Sequence, residues 1–106
     1  MKSTRWSDDC ATKLAVLADP TRLAVLEVLL EGPRNVTEIN QHIGIAQNLL
    51  SHHLRVLRDS GLVISHRDGK AVRYKLAQGV ELRPSRSGIN LGCCSLKFTT
   101  IAGSKA

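Results

Sequence analysis

The run Ala46-Gln47-Asn48-Leu49-Leu50-Ser51-His52-His53-Leu54-Arg55-Val56-Leu57-Arg58-Asp59-Ser60-Gly61-Leu62-Val63 constrains the fold of this chain most. Leu50, Leu54 and Leu57 recur at i, i+4 and i+7, which gives a helix one apolar stripe to anchor in a core. The opposite side offers Gln47, Asn48, Ser51, His52, Arg55 and Arg58. These side chains donate and accept hydrogen bonds or carry positive charge, the chemistry that base edges and phosphates require. Upstream, Val36, Ile39 and Ile43 form a shorter stripe that ends at Gly44. A short helix, a glycine turn and a longer helix with a polar outer face make a helix-turn-helix. An ordinary amphipathic helix pair with a solvated face has the same periodicity, so the residues downstream of the pair must separate the two.

From Leu62 the period changes from helical to alternating. Leu62, Ile64 and His66 alternate with Val63, Ser65 and Arg67, and Val72, Tyr74 and Leu76 alternate with Arg73 and Lys75. Arg67-Asp68-Gly69-Lys70 lies between the runs, and Asp-Gly between alternating segments signals a hairpin. That hairpin carries Arg67, Lys70, Arg73 and Lys75 against one acid, Asp68. The expected fold is mainly α with a β-hairpin, a winged helix-turn-helix whose wing cations reach phosphates or a minor groove. Charge distribution agrees. Residues 1–44 hold five Lys/Arg and six Asp/Glu, whereas residues 45–86 hold eight Lys/Arg and three Asp/Glu. The formal +6 of the chain is thus concentrated on the half proposed to read DNA.

A length of 106 residues suits one domain with a modest core. Aromatics are only 3% of the chain, so the core is aliphatic and a single-strand binder built on stacking platforms is disfavoured. No run approaches the length of a membrane span and Met1–Arg5 leads into no apolar signal core, so a cytoplasmic protein is expected. Its three cysteines are then thiols, ligands or redox sensors rather than structural disulfides. No Gly-rich phosphate loop or Ser-His-Asp-like grouping stands out, which argues against an enzyme.

Two helices are expected ahead of the helix-turn-helix. Asp8-Asp9 starts the first, along which Ala11, Leu14, Ala15, Leu17 and Ala18 are apolar. Asp19-Pro20 starts the second as a capping residue followed by proline, Leu23, Leu26, Leu29 and Leu30 form its stripe, and Gly32-Pro33 stops it. Surplus apolar surface on the first helix packs either within the monomer or in a dimer seam. The seam is favoured for so small a DNA-binding domain, because two half-sites raise affinity.

Leu17-Ala18-Asp19-Pro20-Thr21-Arg22-Leu23, then Val36-Thr37-Glu38-Ile39, then Ser51-His52-His53-Leu54-Arg55-Val56-Leu57-Arg58 and Gly61-Leu62-Val63 resemble the ArsR/SmtB family of bacterial winged-helix repressors. The resemblance covers residues 8–77, with its motifs in order at matching spacing. It implies a homodimeric repressor that binds double-stranded, pseudo-palindromic operator DNA and releases it when an inducer binds. By position it places Gln47, Asn48, Ser51 and His52 on the base-reading face, with Arg55, Arg67, Lys70 and Arg73 completing the DNA-contact set. Asn48 stands where many members have proline, and Ala46 where many have a serine cap. The division expected is a winged-helix domain over residues 1–77 and a tail over 78–106 that carries Cys93-Cys94 and joins the dimer interface.

The inducer site departs from the familiar members. Where the arsenic and cadmium sensors carry Cys-x-Cys, this chain has Asn35 and Thr37. After Leu76 it has no histidine and only Glu81 as an acid, so the C-terminal Asp/His set of the zinc and nickel sensors is absent too. His42, His52, His53 and His66 are not spaced as a zinc site, and His53 reads as a packed helix histidine. Cys93-Cys94 and Cys10 remain. Adjacent thiols suit a soft ion of low coordination, such as trivalent arsenic or antimony, for which three thiolates suffice. Some atypical arsenic repressors resemble this chain in a C-terminal Cys-Cys pair followed by a third cysteine, but Thr99 and Thr100 lie where that third would be, leaving Cys10. Cys10 would sit at the start of the first helix, where the dipole favours thiolate. No permanent cofactor is expected.

Three alternatives stay open. The cysteines are small buried hydrophobes; or Cys10 and one of the pair form a reversible disulfide across the dimer, making a thiol-redox-sensing repressor; or the winged helix is a protein-interaction module. The tail is expected to be an irregular linker over 77–88 around Pro84, extended over 89–98 rather than helical, and disordered over 102–106.

Overall fold

Asp19 makes the first structural decision in the computed structural model, which describes residues 5–82 and 87–99. Its backbone is extended (φ −152°, ψ 122°), and its carboxylate accepts hydrogen bonds from the Thr21 and Arg22 amides at 2.8 and 3.1 Å. Pro20, which has no N–H to satisfy, opens the helix behind it. The Arg22 amide, with the Arg22 charge and the Thr21 amide behind it, holds the Asp19 carboxyl below its ordinary 3.8 against the opposing effect of burial. The first two helices are α1 (Arg5–Leu17) and α2 (Pro20–Leu29). α1 begins at Arg5, upstream of the Asp8-Asp9 start expected from the sequence.

A two-residue strand, β1 (Arg34–Asn35), leads into α3 (Val36–Ile43). Asn35 and Glu38 cap α3 reciprocally: the Glu38 amide donates to Asn35 Oδ1 at 2.8 Å, and the Asn35 amide donates to Glu38 Oε1 at 2.9 Å. Gly44 ends the helix at φ +74°, a left-handed conformation that costs a residue with a Cβ roughly 1–2 kcal/mol. The Asn40 side chain then clamps the turn. Its Nδ2 donates to the Ile45 carbonyl at 2.7 Å and its Oδ1 accepts from the Ile45 amide at 3.0 Å.

The fourth helix, α4 (Gln47–Asp59), lies across this turn. It ends in a Schellman motif, in which Leu62 N donates to Leu57 O at 3.1 Å and Gly61 N to Arg58 O at 3.0 Å. Gly61 is the left-handed residue at φ +83°, and buried Leu57 and Leu62 supply the accompanying apolar contact. Leu50, Leu54 and Leu57 of α4 meet Val25, Leu26 and Leu29 of α2 and Ile39 of α3 in one aliphatic core. Each leucine fully buried there contributes about 1.5–3 kcal/mol.

The wing is β2 (Val63–Asp68) and β3 (Ala71–Leu76), turned by Gly69-Lys70, and the sheet order is β1-β3-β2, all antiparallel. The register pairs Val63 with Leu76 and Ser65 with Tyr74 on the core side. It pairs Ile64 with Lys75 and His66 with Arg73 on the other, so Ile64 is 41% exposed while Val63 is buried. Leu62 is buried because it closes α4, not because it shares a strand face with Ile64.

Beyond the wing, residues 80–82 pair antiparallel with the next strand: Leu82 N donates to Gly88 O at 2.9 Å and Asn90 N to Val80 O at 2.7 Å. That strand, β4 (Gly88–Asn90), forms a hairpin with β5 (Ser95–Lys97), pairing Ile89 with Leu96. The described tail is therefore extended without a helix, as expected, but folds as a hairpin turned at residues 91–94 rather than as one run. A Cβ on Gly88 would collide with the Leu96 carbonyl oxygen, so the close strand approach requires glycine. Val80, Ile89 and Leu91 join the aliphatic core. Pro84 and residues 102–106 lie outside the described residues. Among the described residues no helix is long and apolar enough to cross a membrane.

Candidate nucleic-acid interface and three-cysteine site

α4 buries Leu50, His53, Leu54 and Leu57 and exposes Gln47, Asn48, Ser51, His52, Arg55 and Arg58. The face picked out by residue type is therefore the uncovered one. His53 is the buried polar residue of this helix, and its Nδ1 accepts a hydrogen bond from Arg22 Nη1 at 3.1 Å. Arg22 Nε also donates to the Val16 carbonyl at 2.6 Å, so one guanidinium fastens the α1–α2 junction to the back of α4. Ala46 makes no side-chain cap, and among the amides that open α4 that of Leu49 donates to Asn48 Oδ1 at 2.9 Å. Gln47 shares an open cleft of about 360 Å³ with Thr37 of α3 and Lys70 of the wing.

The wing cations are not equivalent. Arg67 and Lys70 are exposed. Arg73 is held between two carboxylates, its Nε donating to Asp68 Oδ2 at 3.0 Å and its Nη1 lying 3.9 Å from Glu38 Oε1. Glu38 already caps α3, and Asn35 pairs with Arg73 in the sheet, so this network ties the wing to the helix-turn-helix. The signal that marks it in the sequence is Asn35-x-x-Glu38, an N-cap pair. Read only as the place of a missing Cys-x-Cys, Asn35 conceals that role.

On another part of the molecule the β4–β5 turn reaches α1. Cys10 and Cys93 form a disulfide with their Cα atoms 5.9 Å apart. The Cys94 thiol lies 3.6 Å from Cys10 Sγ and 4.0 Å from Cys93 Sγ. All three sulfurs fall within 4.8 Å of one another, the one group of three or more potential His, Cys, Asp or Glu ligands found among the described residues. Lys13 Nζ donates to the Leu91 carbonyl at 3.1 Å and pins the same hairpin to α1. Two expectations change here. The disulfide, disfavoured from the sequence, is present and closes within one chain instead of across a dimer, because the hairpin folds back over its own α1. Cys10 also lies beyond the first turn of a helix that starts at Arg5, out of reach of the N-terminal dipole. Chemically, the cluster offers either one disulfide and a thiol or, when reduced, three thiols around one point.

The pattern described as "Bacterial regulatory protein, arsR family" matches residues 19–65. The chain is similar to the HTH-type transcriptional regulator NmtR of Mycobacterium tuberculosis, 46% identical over 66 residues that cover 62% of this chain and 55% of that protein. It is also similar to a probable mercury resistance operon repressor of Streptomyces lividans, 45% identical over 69 residues, 65% of this chain and 55% of that protein. The match thus spans about half the length of these curated relatives. Among solved structures, the homodimeric winged helix-turn-helix DNA-binding domain Mb0332 (fragment 1–100) of Mycobacterium bovis superposes with a TM-score of 0.64 at 32% identity, covering 72% of this chain and 73% of that one. A winged helix-turn-helix with these relatives sits among transcription regulators rather than enzymes, and the chain belongs to the arsR family of bacterial regulatory proteins.

Proposed function

We propose that this chain is a homodimeric repressor that binds double-stranded operator DNA and releases it when a thiophilic inducer, trivalent arsenic or antimony, binds Cys10, Cys93 and Cys94. In this reading Gln47, Asn48, Ser51, His52 and Arg55 meet base edges and nearby phosphates from α4. Arg67 and Lys70 meet phosphate from the wing, and Arg73 sets the wing's position. Residues 1–77 form the reading domain, residues 78–106 the sensing tail, and the site of action is the cytoplasm. The observation that carries the DNA role is the coincidence of one uncovered polar face on α4 with two exposed cations on the adjoining wing.

Dimerisation is supported by α1, which leaves Ala11, Leu14 and Ala15 exposed, Leu14 at 44%. The similar domain from Mycobacterium bovis is homodimeric. The inducer reading rests on the three sulfurs: three thiolates satisfy a soft three-coordinate ion, whereas a structural zinc ion takes four ligands. A ligand held there would fasten the β4–β5 turn to α1 and so act on the dimer seam.

Footprinting on the DNA upstream of the chain's own gene tests the reading. A protected segment with two half-sites one helical turn or a multiple apart is expected. Ser51→Ala or His52→Ala should lower operator affinity by roughly 1–3 kcal/mol for a good base contact while sparing non-specific binding. Protection that is absent, or indifferent to both substitutions, refutes it.

A further inference from the structure

We propose that the three sulfurs are an oxidation-gated site: a disulfide from Cys10 to either Cys93 or Cys94, within one chain, occupies the sulfurs that would hold a thiophile and closes the site to it. This rests on the reading of the cluster as the inducer site and adds the condition under which it operates. Cys10 is the common partner. It is bonded to Cys93, and the Cys94 thiol stands 3.6 Å from its sulfur. Cys93 and Cys94 do not replace it, since adjacent residues have Cα atoms only about 3.8 Å apart, short of the range of about 4.4–6.8 Å usual for disulfides. The 5.9 Å between Cys10 and Cys93 lies within that range.

Exchange inside the cluster is redox-neutral. The Cys94 thiolate attacks Cys10 Sγ, one S–S bond forms as the Cys10–Cys93 bond breaks, and Cys93 leaves as thiolate. Entry to the oxidised state uses a low-molecular-weight disulfide, RSSR. A protein thiolate displaces one RS⁻ to give a mixed disulfide, and a second protein thiolate displaces the other. Two protein thiols are oxidised, RSSR is reduced to two RSH, and one protein thiol remains. Cys93 and Cys94 are exposed at the turn while Cys10 is half-buried, so the turn cysteines receive RSSR and Cys10 resolves the mixed disulfide. Oxidation therefore leaves one thiol where the thiophile needs three.

The test uses the full-length chain without DNA. Reduced and glutathione-disulfide-treated samples are alkylated, their free thiols counted by mass, and the bridges mapped on peptides. Treated wild type should hold one bridge within the chain, its third sulfur free or capped by glutathione, with no chain-to-chain link. Cys93→Ser and Cys94→Ser should each lose both remaining thiols to a bridge with Cys10, and Cys10→Ser should form no bridge, only glutathione adducts on its turn sulfurs. Arsenite is then titrated, with uptake read by the ultraviolet absorption of arsenic–sulfur bonds. The reduced chain should saturate, the treated chain should show no saturable uptake, and a reductant should restore it. Retention of both thiols in treated Cys93→Ser or Cys94→Ser, a bridge between chains, or equal arsenite uptake by oxidised and reduced protein overturns the gate. If reduced protein takes up no arsenite, the inducer reading fails instead, and the mapped bridges and adduct masses alone uphold or overturn the pairing.

Discussion

Replacing the wing cations one at a time separates those that touch phosphate from the one that holds the wing. Lys70 lies in the turn and Arg67 is exposed on β2, each free to approach a phosphate. Removing one cation–phosphate pair flattens the slope of log affinity against log salt by about 0.9, so one substitution, present twice in a dimer, should flatten it by about 1.8. Arg73 should behave differently because Asp68 and Glu38 already neutralise it at 3.0 and 3.9 Å. These pairs are more than a third exposed, so water screens them and each contributes no more than about 1 kcal/mol. Arg73→Ala removes both pairs and should accordingly cost operator affinity about thirtyfold per protomer at most and leave the salt slope unchanged. The assay is fluorescence anisotropy of a labelled operator duplex between about 50 and 200 mM salt. A slope flattened by Arg73→Ala as much as by Lys70→Ala would show that Arg73 contacts phosphate itself. Three unchanged slopes would remove the wing from the interface.

Asp19→Ala removes the N-cap of α2 and should cost about 1 kcal/mol of stability in urea unfolding at neutral pH. Since the folded Asp19 carboxyl titrates below its ordinary 3.8, its stabilisation is complete above that value and lost as pH falls through the folded value. Wild type should lose stability in that acid range more steeply than Asp19→Ala, and parallel curves would contradict the cap. Gly61→Ala forces a side chain into φ +83° and should cost about 1–2 kcal/mol, measured by thermal unfolding. Leu14→Asp places a charge in the exposed stripe of α1 and should convert the dimer to monomer in sedimentation, with the helical signal retained. A dimer that survives the change would move the seam elsewhere.

Those elements whose instructions are local were legible in the sequence. Asp19-Pro20 starts α2, Gly44 stops α3, and the Leu50/Leu54/Leu57 stripe fixes which face of α4 is hidden. Periodicity also marked residues 89–98 as extended. It could not show where the run folds, because Gly92 at φ +90° and the pairing of Ile89 with Leu96 are decided by close packing on the core. The same limit concealed the Arg22–His53 bond, which joins α2 to α4, and the Glu38–Arg73 pair, which joins α3 to the wing. Elimination points to Cys10 as the partner of Cys93 and Cys94, but its disulfide depends on a hairpin folding back across most of the chain. The Asn35 cap is a local signal, carried by Glu38 three positions on, and it is hidden only when Asn35 is set against the cysteine ligand whose place it takes.

The proposed sensing of a thiophile through Cys10, Cys93 and Cys94 stands or falls on operator binding by fully reduced protein, followed by anisotropy as arsenite is added to wild type and to Cys93→Ser/Cys94→Ser. Wild type should release the operator as arsenite reaches one equivalent per chain. A near-complete change of population needs a preference for the DNA-free state of about 5.5 kcal/mol, within reach of three arsenic–sulfur bonds. The double variant should bind the operator as tightly as wild type and ignore arsenite. Release of both proteins at the same arsenite concentration would contradict the claim.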